Sequence, residues 1–447
     1  MTEQKYKEQV ELIRQVFEYA HRFKGKIFVL QLECSLLGHP FFPILVKDLV
    51  LLHRLGIRTV LVPAAKSRID EILDSYHIDW QTVDGVRIST SEAIPFIKMA
   101  AFDVSNQLMT QLAENSAGAV IGNWVRARGM GVRGGVDFQY TGMVEKVASD
   151  IILEVLNDGL IPIFPNIGWS AAGRPYNISS TELAFALSCA LNAEKLFFIT
   201  DSRGIKAETY RLGPDLVLSP EGTVTQLTVA EARKFLDLNE DKKGDEILEM
   251  LSLAYEACRR GVSRVHILDG TVEGVLLKEI FSNVGFGTMV YSNQHENIRA
   301  MAQEDIPGVL RIMQPFMEKG ILLKRREQDL LERCADYVVY EVDGMVHACA
   351  ALHLFPEGQG EIAGIAVDET YAGLGIGKRI VSFLLEKARK LGLKRVFALT
   401  IQTADWFLQL GFREGEVAEL PEARRACYDR KRNSKVLVFD LRANAGA

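Results

Sequence analysis

Between residues 25 and 290, short apolar runs recur at intervals filled by amphipathic segments. The runs are KIFVLQLE (26–33), RTVLVPA (58–64), AVIGNWV (119–125), IPIFPNI (161–167), KLFFITD (195–201) and RVHILDG (264–270). They are almost continuously hydrophobic rather than alternating, which is the pattern of strands buried on both faces. Helical stretches between them supply the covering layers, so the pattern predicts an open three-layer α/β/α sandwich with a parallel sheet. The stretch ARGMGVRGGVDFQYTG (127–142) breaks the rhythm and predicts a small hairpin.

After residue 290 the grammar changes. The polar stretch SNQHENIRAM (292–301) predicts a linker, which divides the chain into 1–290, a connection at 291–301 and a second unit at 302–447. That unit opens on helical DIPGVLRIMQPFMEKG and continues with YVVYEVDG and MVHACAALHLF, whose alternation suits antiparallel strands. GEIAGIAVDETY, a glycine-rich turn and a helix over about 376–391 follow. A strand RVFALT, a short helix in ADWFLQLGF and a last strand KVLVFDL complete a smaller α+β domain of ordinary size.

Composition narrows the function classes. A chain of 447 residues is long for one core, in keeping with two units. With 48% hydrophobic and 25% charged residues and a net charge of −6, neither nucleic acid nor an anionic membrane is expected as the main partner. No apolar run approaches the ~20 residues needed to cross a bilayer. The N-terminus, MTEQKYKEQVELIRQVFEYA, has the charged amphipathic pattern of a helix rather than of a signal peptide. The six cysteines are scattered without a C-x-x-C pair, and the histidines show no H-E-x-x-H spacing. A cytoplasmic protein without a disulfide framework or a metal is the expectation.

The stretch YAGLGIGKRI (371–380) carries the chemistry. A Rossmann G-x-G-x-x-G from Gly373 needs glycine where Lys378 stands, and a Walker loop needs glycine at Ala372 and Ser or Thr at Arg379, so both fail. What remains is strand, turn, G-x-G-x-G-K and helix. Glycines let the backbone approach an anion closely, and the helix N-terminus adds partial positive charge. A tight turn serving no ligand is the alternative.

The segment 302–441 resembles the GNAT acetyltransferases, whose acetyl-CoA loop reads R/Q-x-x-G-x-G/A. GILLKRRE, GEIAGIAV, RVFALT, WFLQLGF, ELPEARRACY and KRNSKVLV are similar, more narrowly, to the N-acetylglutamate synthase family of the bacterial two-domain type. The likeness covers nearly the whole chain. It departs at Ala372, where that family has Arg or Gln, so one side-chain contact to the CoA pyrophosphate is lost. The resemblance implies acetyl-CoA cradled by Leu374, Gly375, Ile376, Gly377 and Lys378. Main-chain groups of Ile365 and Val367 would hold the thioester and pantetheine arm. L-Glutamate is the implied acceptor, one carboxylate on Arg325 and the other on Arg432 and Ser434. Thr400 matches a hydroxyl position able to protonate the departing thiolate, with a capping or turn role as its alternative.

An α-amine is mostly protonated at neutral pH, so acetylation needs a base. Glu361, on the strand leading into the loop, is the best candidate; a cross-strand ion pair is the bland alternative. No cysteine stands at a nucleophile position, so direct attack in a ternary complex is expected. Most of the basic run 424–435 is expected to be a solvated face.

The N-terminal half is similar in its order of elements to acetylglutamate kinase, which cradles ATP with K-x-G-G and H-G-G-G. Here those positions hold Gln31, Leu32, Glu33 and Cys34, and Pro63, Ala64, Ala65 and Lys66. Thr181 stands in YNISST where the kinase has aspartate. Glu33 would repel a triphosphate, so phosphoryl transfer is not expected. The resemblance implies instead an L-arginine effector site at Tyr19, Lys195, Glu279, Gly287 and Thr288. Glu279 would meet the guanidinium and Lys195 the carboxylate. Arg87, in DGVRIS, is retained without an assigned purpose. The N-terminal helix, 5–23, implies a homo-oligomer, with a hexamer among the options. The implied activity is the first step of arginine biosynthesis, under arginine control. An acetyltransferase acting on another amine, and an arginine sensor without catalysis, stay open as alternatives.

Overall fold

The computed structural model describes residues 10, 13, 16–17, 19–202, 204–213, 216, 218–219, 221–242, 244–281, 286–292, 296–342, 345–371 and 375–441. Two compact units divide the chain between Asn293 and Gln294.

The N-terminal unit is built on β1 (Ile27–Leu32), β2 (Arg58–Pro63), β3 (Ala119–Ile121), β4 (Ile161–Ile163), β5 (Lys195–Thr200), β6 (Gln226–Thr228), β7 (Arg264–Asp269) and β8 (Gly287–Tyr291). They form one sheet in the order β6-β8-β7-β5-β1-β2-β4-β3. All neighbours are parallel except β7 and β8. Every residue of β1, β5 and β7 is buried, the physical reason for their unbroken apolar runs. Val29, Val60, Phe198 and Val265 join the core on one face; Phe28, Leu30, Phe197 and Leu268 join that on the other. α1 (Phe42–Arg54) packs on the latter through Leu45, Val46 and Leu49.

Two runs read as single strands are each divided. AVIGNWV places 119–121 in the main sheet and Val125 in a separate four-stranded sheet made with Gly142–Val147, Ile167–Trp169 and Pro175–Asn177. IPIFPNI divides likewise around Pro165, which has no N–H for a ladder. The expected hairpin is present as Val132–Arg133 against Val136–Asp137, with Gly134 and Gly135 at φ 54° and 83°. Of the helix expected over 5–23, residues 5–9, 11–12, 14–15 and 18 lie outside the described residues.

The C-terminal unit carries β9 (Glu296–Ala300), β10 (Tyr337–Val342), β11 (Met345–Phe355), β12 (Gln359–Val367), β13 (Arg395–Thr400), β14 (Arg413–Gly415) and β15 (Lys435–Asp440), ordered β9-β10-β11-β12-β13-β15-β14. Only β12 and β13 are parallel. α2 (Ile306–Glu318) covers Val339, Cys349 and Ala366 on one face, and α3 (Ile376–Lys390) covers Val338, Ala350 and Ile362 on the other. The stretch read as a linker, 291–301, holds the last residue of β8 and all of edge strand β9. Ile298 packs on the core there, and Arg299 pairs with Asp305 and Glu341. Among the described residues no helix is long and apolar enough to cross a membrane.

Candidate functional site

The one parallel pair of the C-terminal unit opens along its length. β12 and β13 are in register from Gln359 opposite Arg395 to Ile362 opposite Ala398, and no further. Yet β12 continues to Val367 and β13 to Thr400, so residues 363–367 present main-chain groups to an opening instead of a ladder. On its other side β12 stays paired with β11, but the register jumps between Ala363 opposite Ala351 and Ala366 opposite Cys349. That irregularity is a bulge at Gly364 and Ile365, which bends the strand. Gly364 sits at φ 61°, and a Cβ there would stand 3.1 Å from Nη1 of Arg325. Its bare backbone is what lets the guanidinium lie against the bend.

α3 begins beside this opening. Gly375 caps it at φ 72°, no side chain occupies the cap, and its first turn has no acidic residue. The N–H groups of the first turn are therefore available to an anion, with the partial charge of a helix of 15 residues behind them. Gly377 is there for packing: a Cβ would come within 3.2 Å of the Trp406 ring. Lys378 is exposed. Of the expected cradle, Leu374 lies outside the described residues, as do Ala372 and Gly373.

Glu361 is buried on β12, 7% exposed, opposite His353 on β11. Its carboxylate is gripped by both arms of Arg424, Nε to Oε2 at 2.7 Å and Nη2 to Oε1 at 3.0 Å. His353 in turn meets Asp336 at 2.7 Å through Nδ1. Arg325 lies over the ring of Tyr337 at 5.4 Å, and among the described residues no carboxylate is within ion-pair distance of it. Burial pushes its guanidinium below the ordinary range, while Cys349 and Glu361 pull the other way. Arg432 donates from Nη2 to the carbonyl of Ile321 at 2.5 Å, four residues before Arg325. Ser434 accepts the Tyr428 hydroxyl on its carbonyl at 2.7 Å. Thr400 ends β13 with its hydroxyl oxygen accepting from the N–H groups of Gln402 and Thr403, so the turn role is present in the structure.

The fold thus brings Arg325 to Gly364 and near Glu361, and ties Arg432 to the segment that carries Arg325. Sequence reasoning missed Arg424, which it left within a solvated face, and His353. Neither carries a local signal: Arg424 meets Glu361 across 63 positions, and His353 sits in an apolar strand.

In the N-terminal unit the residues expected for an effector also gather. Lys195 is 3% exposed, with its Nζ 5.3 Å and 4.9 Å from the ring centres of Tyr19 and Phe23. Glu279 accepts the N–H of Phe286 at 2.8 Å and pairs with Nδ1 of His266 at 2.9 Å. Burial raises the Glu279 carboxyl, but His266, the Phe286 amide and Lys195 outweigh that and hold it below the ordinary range. Burial keeps His266 low as well, against the pull of Glu279. His266 stacks on Phe197 at 4.8 Å and leaves Nε2 buried without a partner among the described residues. It too was missed, because it sits inside a strand that reads as core. Gly287 and Thr288 have structural work. A Cβ at Gly287 would stand 2.2 Å from the Ile267 carbonyl oxygen, and the Thr288 hydroxyl donates to the Val224 carbonyl at 2.7 Å. Arg87 is 8% exposed, pairs with Asp70, and stacks on Trp80 at 4.1 Å.

At the carboxyl ends of β1 and β5 the same unit has a cleft of 480 Å³, lined by Glu33, Lys66, Asp201, Asp245 and Glu246 among others. Lys66 is paired with Glu246, and Gln31 donates to Glu33 at 2.8 Å. Burial pushes the Glu33 carboxyl above its ordinary range; the Gln31 hydrogen bond opposes this, while Glu246 and Asp201 add to it. An excess of carboxylates, with no glycine cradle, is the reverse of a nucleotide site. Among the described residues no group of three or more His, Cys, Asp or Glu is arranged to hold a metal ion.

Comparison with known proteins agrees with this division. Residues 34–269 match the amino acid kinase family and residues 306–412 the acetyltransferase (GNAT) family. The amino-acid acetyltransferase of Ralstonia nicotianae is 34% identical over 97% of this chain and 95% of its own. That of Escherichia coli is 31% identical over 99% and 100%. Among solved structures, N-acetylglutamate synthase of Neisseria gonorrhoeae complexed with coenzyme A and L-arginine superposes with a TM-score of 0.81, at 30% identity, over 96% of this chain and 99% of that one. The same enzyme complexed with coenzyme A and N-acetyl-glutamate gives 0.60 at 32% identity, over 97% and 99%. With a kinase-type unit stripped of its phosphate cradle and a GNAT unit that keeps an open strand pair, the chain belongs to the amino-acid acetyltransferase family of the N-acetylglutamate synthase type.

Proposed function

We propose that the protein transfers the acetyl group of acetyl-CoA to the α-amine of L-glutamate, the first step of arginine biosynthesis, and that L-arginine bound in the N-terminal unit regulates it. The observation that carries the reading is the opening of β12 from β13 beside a helix N-terminus with no side-chain cap, with Glu361 on the bent strand and the Arg325 guanidinium against its bend. The two Neisseria complexes, with coenzyme A and either L-arginine or N-acetyl-glutamate, support it.

In this reading the CoA diphosphate sits on the N–H groups at the start of α3, near Gly375, Ile376, Gly377 and Lys378. The pantetheine arm adds itself to the free edge of β12 through Ile365 and Val367, as a third strand would. Arg325 takes one glutamate carboxylate, and Arg432 with Ser434 the other, as planar forks suit carboxylates. Glu361 takes a proton from the ammonium. The freed nitrogen attacks the thioester carbon, and the tetrahedral species collapses as its nitrogen gives up a second proton, the C–S bond breaks and the CoA thiolate takes up a proton, Thr400 being the candidate relay between the two. Main-chain N–H groups at the bulge are the candidate donors to the carbonyl oxygen, where one such donor is worth about 3–4 kcal/mol. Holding amine and thioester together supplies up to ~7–11 kcal/mol more.

The test is thiol release from acetyl-CoA with glutamate, aspartate or lysine as acceptor, with and without arginine. Saturable release with glutamate alone, altered by arginine, is expected. Equal rates with all three acceptors would overturn glutamate as the substrate, and indifference to arginine would overturn the regulation.

A further inference from the structure

Glu361 is held by a partner that the reaction cannot use. The Arg424 fork occupies both carboxylate oxygens, and the pair is nearly shielded, with side chains 19% and 9% exposed. A base so engaged cannot accept the ammonium of an incoming amino acid until the guanidinium leaves. Leaving is costly on its own, because each partner would then be an uncompensated buried charge. The other charged groups near Glu361 do not relieve this. Arg325 lies against Gly364 on the same strand, and opposite on β11 stands His353, itself paired with Asp336.

The geometry points to an exchange of ion pairs: Arg424 stands in for the substrate's ammonium on Glu361, and is displaced only by a molecule that brings both an ammonium and a carboxylate. The ammonium takes over Glu361, and the released guanidinium takes a carboxylate of the same molecule. One ion pair becomes two, and no buried charge is left alone. Arg424 comes from a helix of only five residues, Glu422–Ala426, in which no residue is buried; Leu420 before it and Tyr428 after it pack on the core, so the fork is the side-chain tie of the short helix itself to β12. The exchange makes Arg424 a specificity-determining residue. It admits zwitterionic amino acids and excludes plain diacids, which would release Arg424 and leave Glu361 without a cation.

This inference rests on Glu361 acting as the base, and the experiment separates the two. Arg424→Gln, Arg424→Lys and Glu361→Gln are compared in steady-state kinetics with glutamate, and in calorimetric binding of glutarate in the presence of CoA. Thermal unfolding checks that each variant is folded. The expected result is a rise in glutamate KM of at least tenfold for Arg424→Gln, larger than its loss of kcat, with only partial recovery in Arg424→Lys. Glutarate should bind Glu361→Gln at least tenfold more tightly than the unaltered protein, since the amide needs no replacement cation. Equal glutarate affinity in both proteins overturns the exchange. So does an Arg424→Gln variant that loses kcat at unchanged KM and is fully restored by lysine, which marks a structural tie. An unchanged kcat in Glu361→Gln overturns the base reading instead.

Discussion

Each unit keeps a glutamate beside parallel strands, Glu33 where they end and Glu361 where they part, and the surroundings give the two opposite uses. Glu33, just beyond β1, faces a cleft in which carboxylates outnumber the cations and are already partnered: Glu246 by Lys66, Asp201 by Ser35, Asp245 by Tyr210. Glu361, on β12, lies beside an opening lined by bare main chain and a glycine-capped helix. The difference teaches that strand topology alone does not make an anion site. Backbone access does, and side chains that fill it with negative charge abolish it.

The comparison breaks most visibly at Glu361. Replacing it with glutamine should lower kcat for acetyl transfer by about 10²–10⁴-fold, the usual worth of a positioned base; a loss below tenfold in a steady-state assay would end its claim to that role. Gly364→Ala comes next. Its Cβ would press on Arg325 from a left-handed backbone angle, so kcat/KM for glutamate should fall by roughly 10–100-fold, as for a misplaced positioning group. Full activity in that variant would show that Arg325 is not held by the bend.

A buried carboxylate of the N-terminal unit should behave in the opposite sense. Asp48, on α1, is 8% exposed with Oδ2 lacking a partner among the described residues, and burial pushes its carboxyl up to about 6. A folded-state value above the unfolded one, about 3.9, contributes stability that is fully present below pH ~4 and is lost as the pH rises through 6. Asp48→Asn should therefore stabilise the protein by about 2–3 kcal/mol above pH 7 and by nothing near pH 4, read by urea unfolding at the two pH values. The smallest effect belongs to Glu33. Glu33→Gln should change acetyl transfer less than twofold and confer no phosphoryl transfer from Mg-ATP; a larger change would mean that the cleft takes part after all.

Much of the fold was legible because burial writes itself into composition. The apolar runs at β1, β5 and β7 have no exposed residue to interrupt them. Runs of six or seven residues could not reveal that Gly122 and Pro165 lie where chains pass from one sheet to another, since periodicity carries no sign of which sheet a strand joins. Strand β9 hid in a polar stretch because an edge strand needs only one apolar side chain, Ile298, on the core. The site divided along similar lines. Gly375 and Gly377 were visible as glycines, though only structure separates the one that caps from the one that makes room for a ring. Arg424 and His266 were not legible, because an ion pair between distant segments leaves no local trace and a histidine inside an apolar strand looks like any core residue.

The ring that packs on Gly377 has a use beyond packing. Trp80, Trp124 and Trp169 all belong to the N-terminal unit, so Trp406 is the sole indole of the other. It touches the first turn of the helix assigned to the coenzyme diphosphate. With the other three indoles replaced by phenylalanine, the emission of this single fluorophore becomes a built-in optical reporter of cosubstrate arrival, read without any added label.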